Sequence, residues 1–535
     1  MNWIDRAVTA VDPEEGLRRA AARQRLQVLD SGYGNYGASR GKKSMVGWLA
    51  RGGSAKEDIE DNLDTLRQRS RDAYMGVPVA AAGIKTMRTN VVAGGLTLNP
   101  QPDLGALGMS DGQGEALRAQ CVREFALWAD GTECDADGLD NFYQLQGLVY
   151  LGMLMNGDAF VLMQRRKSRN SPYTLKLRVV EADRVCSPQY LDILAPAVVQ
   201  GHRVERIVQG VETDADGKVV AYWVAKRHPL TTNYTLTGQE WTRVEAWGRR
   251  TGERQVLHVM NRERAGQVRG VPMLAPVLDA LKQLGRYSEA ELQAALVGAL
   301  CTVTLEKDAE WQPVGEIPLD GGIAPEQQVD REDAATIEMG AANVLDMPVG
   351  VKAKMLDPTH PTNGFDRYFD TMVKQIGAAL EAPSEVILKQ FSTSYSAARG
   401  ALNEFWRTCG MLREFFAADF CQPVYEAVFR EAVALGRIRA PGYWNDAAVR
   451  KAYTEATWAG PSRTNLNPKD EREASLMMVE AGYSTAESQA AQMPGESYAA
   501  NLRQRAAEVK AKSEVDKLKY EGRESVMDVP EGGAQ

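Results

Sequence analysis

The sequence is poor in the residues that build metal and nucleophilic sites. It holds only four histidines among 535 residues, and no two of them are spaced three or four apart. A helical zinc site is therefore not predicted, and no local pattern favours a catalytic triad. The six cysteines form no Cys-x-x-Cys pair, which is typical of reduced thiols that fill the core of an intracellular protein. We expect no metal and no cofactor.

The sequence also lacks a positive charge surplus and a long apolar run. Its 63 basic and 71 acidic residues give a net charge of −8, which disfavours tight binding of nucleic acid over a broad surface. The longest uncharged apolar stretch, residues 292–305, is shorter than the roughly 20 residues that span a bilayer. Residues 1–25 have no apolar core of the kind found in a secretory signal. We expect a soluble, intracellular protein without a membrane contact.

Two short motifs resemble enzyme signatures but lack the context that their chemistry needs. Gly108 to Gly112 matches Gly-x-Ser-x-Gly, yet it follows a loop rather than a buried strand. The segment 37–44 imitates a phosphate loop with the wrong glycine spacing. Residues 18–43 carry seven basic side chains and one acidic one. This fits either a basic arm for nucleic acid or an acidic partner, or a solvated flexible lead-in.

Hydrophobic residues make up 44% of the chain, and the length predicts roughly three or four domains. The periodicity indicates a helix over 58–92 with a break at Pro78, followed by an α+β region. Its predicted strands are 158–163, 175–181, 219–224 and 256–260. The stretch Asp214 to Lys218 has the Asp-Gly chemistry of a hairpin turn. Long amphipathic helices are predicted at 271–299, with Pro272 in the first turn, and at 363–380, with Asn363 as a possible cap.

The segment between those two helices is strongly acidic. Residues 305–358 contain twelve acidic and four basic residues, so they hold a surplus equal to the net charge of the whole chain. Five prolines favour a small module of short strands and turns. An acidic solvated surface or a docking face for a basic partner is favoured over a glycosidase or nuclease site. The candidate carboxylates for docking are Glu306, Asp308, Glu310, Glu316, Asp320, Glu326, Asp330, Glu332 and Asp333.

Several segments together resemble the lambda-type portal proteins of bacteriophages. They are Arg67 to Pro100, Gly210 to Val224, Val256 to Pro272, and Ser394 to Trp406 with its Ser-Tyr-Ser-Ala-Ala-Arg-Gly start. The resemblance extends in order over roughly residues 10–480. It implies an α+β portal fold with a wing, a two-helix stem, a small acidic α/β clip between the stem helices, a tunnel loop and a mostly helical crown, assembled into a ring-shaped homo-oligomer.

The resemblance implies a position along the chain for each of these parts. They are an N-terminal arm (1–57), the wing (58–265), the first stem helix (266–300), the clip (301–360), the second stem helix (361–382), the tunnel loop (383–394), a tunnel helix returning to the wing (395–440), and the crown with a helical tail (441–535).

The resemblance also implies roles for particular side chains. Lys389 and Gln390 are expected to face DNA, with Ser392 beside them, and Phe391 either packs against a neighbouring subunit or touches the DNA. The alternative for Lys389 is an ion pair with an acidic stem residue. The residues expected to pack the stem are Leu274, Val277, Leu281, Leu284, Phe369, Met372 and Ile376.

The resemblance implies a protein that forms a channel for DNA and is not an enzyme. The resemblance implies a dodecamer at one capsid vertex, through which double-stranded DNA is packaged and later ejected. The implied partners are the terminase large subunit, the major capsid and scaffolding proteins, and a head–tail connector protein. The expected location is the portal vertex of the virion, and the host bacterial cytoplasm during assembly. The alternatives are another virion structural or adaptor protein and a metal-dependent DNA-processing enzyme.

Overall fold

The computed structural model describes residues 10–15, 18–19, 43, 52–231, 239–300, 364–391, 394–461, 468–491 and 498–527, and the strands 303–307 and 351–355. The chain divides into two compact units, residues 1–58 and 59–535. In the first unit the structure describes a helical turn, Ala55–Asp58. All elements numbered below belong to the second unit.

Helices and strands are mixed along the second unit, so the protein is α+β. Its α-helices are α1 (Leu63–Gly76), α2 (Pro78–Val91), α3 (Leu104–Leu107), α4 (Asp111–Ala129), α5 (Phe142–Asn156), α6 (Leu278–Leu300), α7 (Phe365–Ala379), α8 (Ser384–Leu388), α9 (Tyr395–Phe416), α10 (Gln422–Ala434), α11 (Ala447–Thr454), α12 (Pro468–Glu480), α13 (Ala486–Ala491) and α14 (Tyr498–Met527). A π-helical turn, Ala417–Cys421, joins α9 to α10.

The strands among the described residues form five small antiparallel sheets. The strands are β1 (Thr97–Pro100), β2 (Asp158–Arg165), β3 (Leu175–Val180), β4 (Ala197–Val199), β5 (His202–Val204), β6 (Arg206–Val208), β7 (Val211–Thr213), β8 (Val219–Ala225), β9 (Trp241–Glu245), β10 (Val256–Met260), β11 (Val303–Lys307), β12 (Val351–Met355) and β13 (Ala456–Ala459). The neighbour orders are β10-β2-β3, β6-β7-β8-β9, β1-β13, β4-β5 and β11-β12.

Two local predictions are confirmed in detail. The helix predicted at 58–92 is α1 and α2, broken where Val77 is extended and Pro78 starts the second helix. The hairpin predicted around Asp214 joins β7 to β8. Its Gly217 has φ +83. The Asp214 carboxylate accepts hydrogen bonds from the backbone N–H groups of Asp216 and Lys218.

One large hydrophobic core joins the helices to the β10-β2-β3 sheet. Its centre is aromatic, with the ring centroids of Phe125 and Phe142 5.4 Å apart and those of Phe142 and Phe420 5.7 Å apart. Two smaller clusters lie in the β6–β9 region around Tyr222 and Trp223. No helix among the described residues is both long enough and apolar enough to cross a bilayer.

The boundary expected at residue 441 does not mark an edge of this core. Strand β13 pairs with β1, so that Leu98 lies opposite Trp458. Tyr443 and Tyr453 are buried in the main core. This pairing spans more than 300 residues of sequence, which is why local periodicity does not reveal it.

Three predicted element boundaries also need correction. Helix α6 begins at Leu278, because residues 275–277 form a 3-10 turn and the N–H of Met273 donates to the carbonyl of Leu154. Pro272 therefore lies before the helix. The second long helix begins at Phe365 after Gly364, and Asn363 lies outside the described residues. The predicted loop at 383–394 contains a helix, α8.

Candidate functional site

The segment 384–391 follows the second long helix and ends in an exposed tip. Helix α8 stops at Lys389, which has the left-handed backbone angles φ +56 and ψ +33. Its N–H donates to the carbonyl of Glu385, and so does the N–H of Gln390 at 3.0 Å. A left-handed residue that is not glycine costs about 1 kcal/mol, so the surrounding contacts hold this turn in place.

Three of the four residues predicted to face DNA are described, and all three are exposed. Lys389 and Gln390 are exposed, and Phe391 keeps 57% of its surface accessible. Ser392 lies outside the described residues. Within the described part of the chain, Lys389 has no carboxylate at ion-pair distance, so the alternative partner expected for it is not found there.

The base of this exposed segment is anchored in the core. Ile387 is buried, and the N–H of Ala382 donates to the carbonyl of Gly377 at 2.9 Å. A Cβ at Gly377 would lie 2.5 Å from the carbonyl oxygen of Ala382, so glycine permits this close turn. The tip is therefore held at a fixed place beside α7 and α2.

The residues predicted to pack the stem lie on the inner side of two neighbouring segments. Leu274, Val277, Leu281 and Leu284 are buried in the main core, although the first two precede α6. On α7, Ile376 is buried, while Phe369 and Met372 are half-buried against the same core.

Aromatic rings join the two long helices further from the core. The centroid of Tyr287 lies 5.6 Å from that of Phe365 and 4.5 Å from that of Tyr368. Beyond this contact, Leu292 and Leu296 on α6 are more than half exposed. The two helices are thus paired near the core and leave apolar surface uncovered further along.

Strands β11 and β12 stand at the two ends of the acidic segment. They pair antiparallel, with Glu306 opposite Lys352 and Val303 opposite Met355. The chain therefore leaves α6 and returns toward α7 through a two-stranded ribbon. The other eight carboxylates predicted for docking, from Asp308 to Asp333, lie outside the described residues.

A buried ionic centre was not predicted. Asp158 opens β2 directly after Gly157, which ends α5 in a left-handed conformation. Its carboxylate accepts from Arg269 at 2.5 and 3.2 Å and from Arg67 at 3.4 Å. Arg67, Asp158 and Arg269 are each at most 1% exposed. The only sequence signal for this buried centre was a charged residue within an apolar stretch. Examples are Asp158 in Asn-Gly-Asp-Ala-Phe-Val and Arg269 in Val-Arg-Gly-Val-Pro.

Arg269 connects distant parts of the chain through this centre. Its guanidinium also donates to the backbone carbonyls of Ala182, Val185 and Gln209. The N–H of the next residue, Gly270, donates to Asp158 at 3.2 Å. The ionic centre thus fixes the segment that leads into α6 against β2 and the small sheets.

The charges of the ionic centre shift the pKa values of its members. Burial alone raises the pKa of Asp158, but the positive charges of Arg269 and Arg67 outweigh burial and hold that pKa far below its usual range. Burial lowers the pKa of Arg67 to about 10. His258, which stacks on Phe160 and lies 3.4 Å from Asp158, has its pKa lowered by burial.

Glu181, Asp183 and His228 are the one group among the described residues whose ligand atoms lie close enough to share a metal ion. Two arginines already face these carboxylates. Arg71 pairs with Glu181 at 2.9 Å and with Asp183, and Arg67 lies 4.0 Å from Asp183. The guanidinium groups supply the positive charge that a metal would bring, so the cluster forms an ion-pair network.

The comparisons with known proteins identify the class of protein. The family model for phage portal proteins of the lambda family matches residues 41–413, well over half of the chain. The chain is 24% identical to the portal protein of Escherichia phage N15, over 86% of this chain and 87% of that protein. It is 22% identical to portal protein B of Escherichia phage lambda, over 86% of each chain. A probable portal protein of Halomonas phage phiHAP-1 is 29% identical over 62% of this chain and 59% of that protein.

The solved structures that match this chain include a neck chain and a portal protein. A chain from the neck of an empty gene transfer agent particle is 16% identical with a TM-score of 0.42, covering 82% of this chain and 96% of that one. An HK97-family phage portal protein from Corynebacterium diphtheriae is 10% identical with a TM-score of 0.26, covering 63% and 85%.

Portal proteins are structural components of phages and not enzymes. This chain belongs to the lambda family of phage portal proteins, because the family model covers most of its length.

Proposed function

We propose that this portal protein assembles into a dodecameric ring at one vertex of the virion and conducts double-stranded DNA during packaging and ejection. The family match over residues 41–413 carries the proposal. The geometry supports it, since two long helices bracket an acidic segment and the exposed Lys389 tip lies beside the second of them.

The parts of the ring follow from the order of the elements. We assign the α+β core to the wing, α6 and α7 to the stem, and the ribbon of β11 and β12 to the base of the clip. Residues 383–394 form the tunnel segment. Residues 441–461 go with the wing because they pack in its core, and the crown begins after them.

The distribution of charge favours movement of DNA through the ring over tight binding of DNA. Each lysine that touches a phosphate releases counterions and adds affinity, so many such contacts would retain the DNA. One exposed lysine per subunit at the tip of the tunnel segment touches the backbone without trapping it. The acidic clip repels phosphates over roughly a Debye length of about 8 Å and keeps the DNA centred.

Electron microscopy of the negatively stained full-length protein tests the assembly. We expect rings with a central hole. Particles of one or two subunits at all concentrations, with no rings, would contradict the proposal.

The role of Lys389 is tested with particles assembled from a Lys389→Ala variant. We expect an altered length or retention of packaged DNA and unchanged ring assembly, because the substitution removes a charge from an exposed tip. Lys374→Ala, an exposed lysine on α7, is the matched control. Wild-type packaged length and retention in Lys389→Ala would disprove the DNA contact.

We also propose that the clip docks the terminase large subunit and later the head–tail connector through its surplus of eight negative charges per subunit. Charge-driven docking weakens as salt screens it, so complex formation should fall as the ionic strength rises. A complex insensitive to salt would instead indicate apolar contacts through residues such as Trp311, Ile317 and Val344. Binding of purified terminase to rings at increasing salt distinguishes the two.

A further inference from the structure

A cavity of about 770 Å³ lies between the loop that precedes β10 and the helices α10 and α11, away from the tunnel segment. Five cationic side chains line it, and the three on which the site depends are Arg254, Arg450 and Lys451. Within the part of the chain that the structure describes, none of the three has a carboxylate at ion-pair distance. They differ in this from Arg165 and Arg430 in the same cavity, which both pair with Glu253.

A neighbouring aromatic ring fixes the orientation of the Arg254 guanidinium. Its guanidinium lies over the ring of Trp247, 5.0 Å from the centroid. Stacking on an aromatic face fixes the plane of an arginine and leaves its N–H edge free to donate two parallel bonds to a carboxylate. The cavity therefore contains a preformed site for an acidic group, flanked by Lys451.

The cavity continues into a second one, so it can hold a ligand longer than a single ion. The second cavity is lined by Glu414, Glu426 and Glu455 beside Arg413 and Lys451, so the carboxylates of such a ligand are expected in the first cavity only. The second cavity has a volume of about 710 Å³. Gln422, Glu426, Lys451 and Thr454 line both. The continuous groove runs along α10 and α11 toward β13, and Trp458 lies at its far end.

We propose that this groove binds an acidic polypeptide segment of a partner protein, whose carboxylates meet Arg254, Arg450 and Lys451. Charge complementarity identifies the partner, since the groove presents three cations without a carboxylate partner among the described residues. A DNA backbone fits less well, because Glu253 and Glu426 also line the cavity and would repel its continuous row of phosphates. Such binding would be an activity beyond ring assembly and DNA passage.

The test uses the full-length protein and, as the probe, a fluorescein-labelled octapeptide of alternating Glu and Gly, whose carboxylates are spaced apart. Binding is measured by fluorescence anisotropy at low salt. The variant is the double substitution Arg254→Glu and Lys451→Glu, at two exposed positions. The matched control reverses two exposed lysines outside the groove, Lys167→Glu and Lys218→Glu, and changes the net charge equally. Circular dichroism verifies that both variants are folded.

We expect the groove variant to bind the peptide about tenfold or more weakly than the wild type, while the control stays within about twofold of it and both variants still form rings. Equal losses in the groove variant and the control would show a general charge effect and overturn the proposal. Displacement of the peptide by millimolar orthophosphate would indicate a small-anion site. A loss of binding to duplex DNA in the groove variant alone would indicate a DNA surface, and a loss of rings would indicate a contact between copies of this chain. Each of these three results would also overturn it.

Discussion

The ionic centre around Asp158 and the tip at Lys389 use charge in opposite ways. Asp158, Arg67 and Arg269 are almost completely buried, so each charge depends on the others and on backbone carbonyls. Lys389 is exposed on a strained turn. Buried charges hold distant segments in one geometry, whereas an exposed charge is available to a ligand. A substitution in the first region should therefore lower the free energy of unfolding strongly, and one in the second should chiefly change what the protein binds.

The largest effect should come from Asp158→Ala. Removing this carboxylate leaves two buried guanidinium groups without a counter-charge, which typically costs about 3–5 kcal/mol of the free energy of unfolding. Urea denaturation measures it. The control is Asp137→Ala, whose exposed ion pair with Arg178 is worth about 0–1 kcal/mol. Equal losses in the two variants would show that the ionic centre contributes no more than a surface pair.

Gly270→Ala should cause the second-largest loss in the free energy of unfolding. A Cβ at this position would collide with the carbonyl oxygen of Gly157 beside the ionic centre, and overpacking of this kind costs about 1–3 kcal/mol. The control is Gly147→Ala within α5, where nothing lies within 4 Å of the added methyl and a gain of about 0.5–1 kcal/mol is expected. Thermal unfolding of the two variants should shift in opposite directions, and a wild-type midpoint for Gly270→Ala would contradict the close approach.

The buried His258 should make the stability of the ionic centre depend on pH. Because the pKa of His258 is lowered in the folded state, the unfolded chain binds a proton there first as the pH falls below about 6.5. The contribution of His258 is complete above that pH and is lost at a rate of up to about 1.4 kcal/mol per pH unit below it. Denaturation at pH 7.5 and 5.5 measures the loss. His258→Gln should reduce it, whereas His202→Gln, at an exposed position, should not.

The smallest effect should come from the tip. Lys389→Gly relieves the left-handed conformation and should raise the free energy of unfolding by about 1 kcal/mol or less. Lys389→Ala keeps the strain and should leave it within about 0.5 kcal/mol of the wild type. Both variants lose the charge, so both should alter DNA retention in particles although their stabilities differ. A large loss of stability in either variant would show that Lys389 has a structural role, and it would contradict the difference drawn between the tip and the ionic centre.

Local chemistry predicted the elements whose causes lie close together in sequence. Pro78 cannot continue a helix, and the Asp-Gly pair before β8 supplies its own turn, so both were confirmed. The helix at 384–388 was missed because five residues carry too little periodicity, and its stop depends on the strained Lys389. The start of α6 was placed too early because a contact from Met273 to Leu154 ends the extended segment.

The class of this protein, its mixture of helices and strands, and the concentration of its negative surplus between two long helices can all be predicted from the residues in order. Which charges are buried depends on the folded arrangement. Asp158, Arg67 and Arg269 come from three separate segments, and their partners lie about 90 to 110 residues away. The same holds for the groove of Arg254 and Lys451 and for the pairing of β1 with β13. Periodicity reports neighbours along the chain, whereas burial and ion pairing depend on segments that meet only after folding.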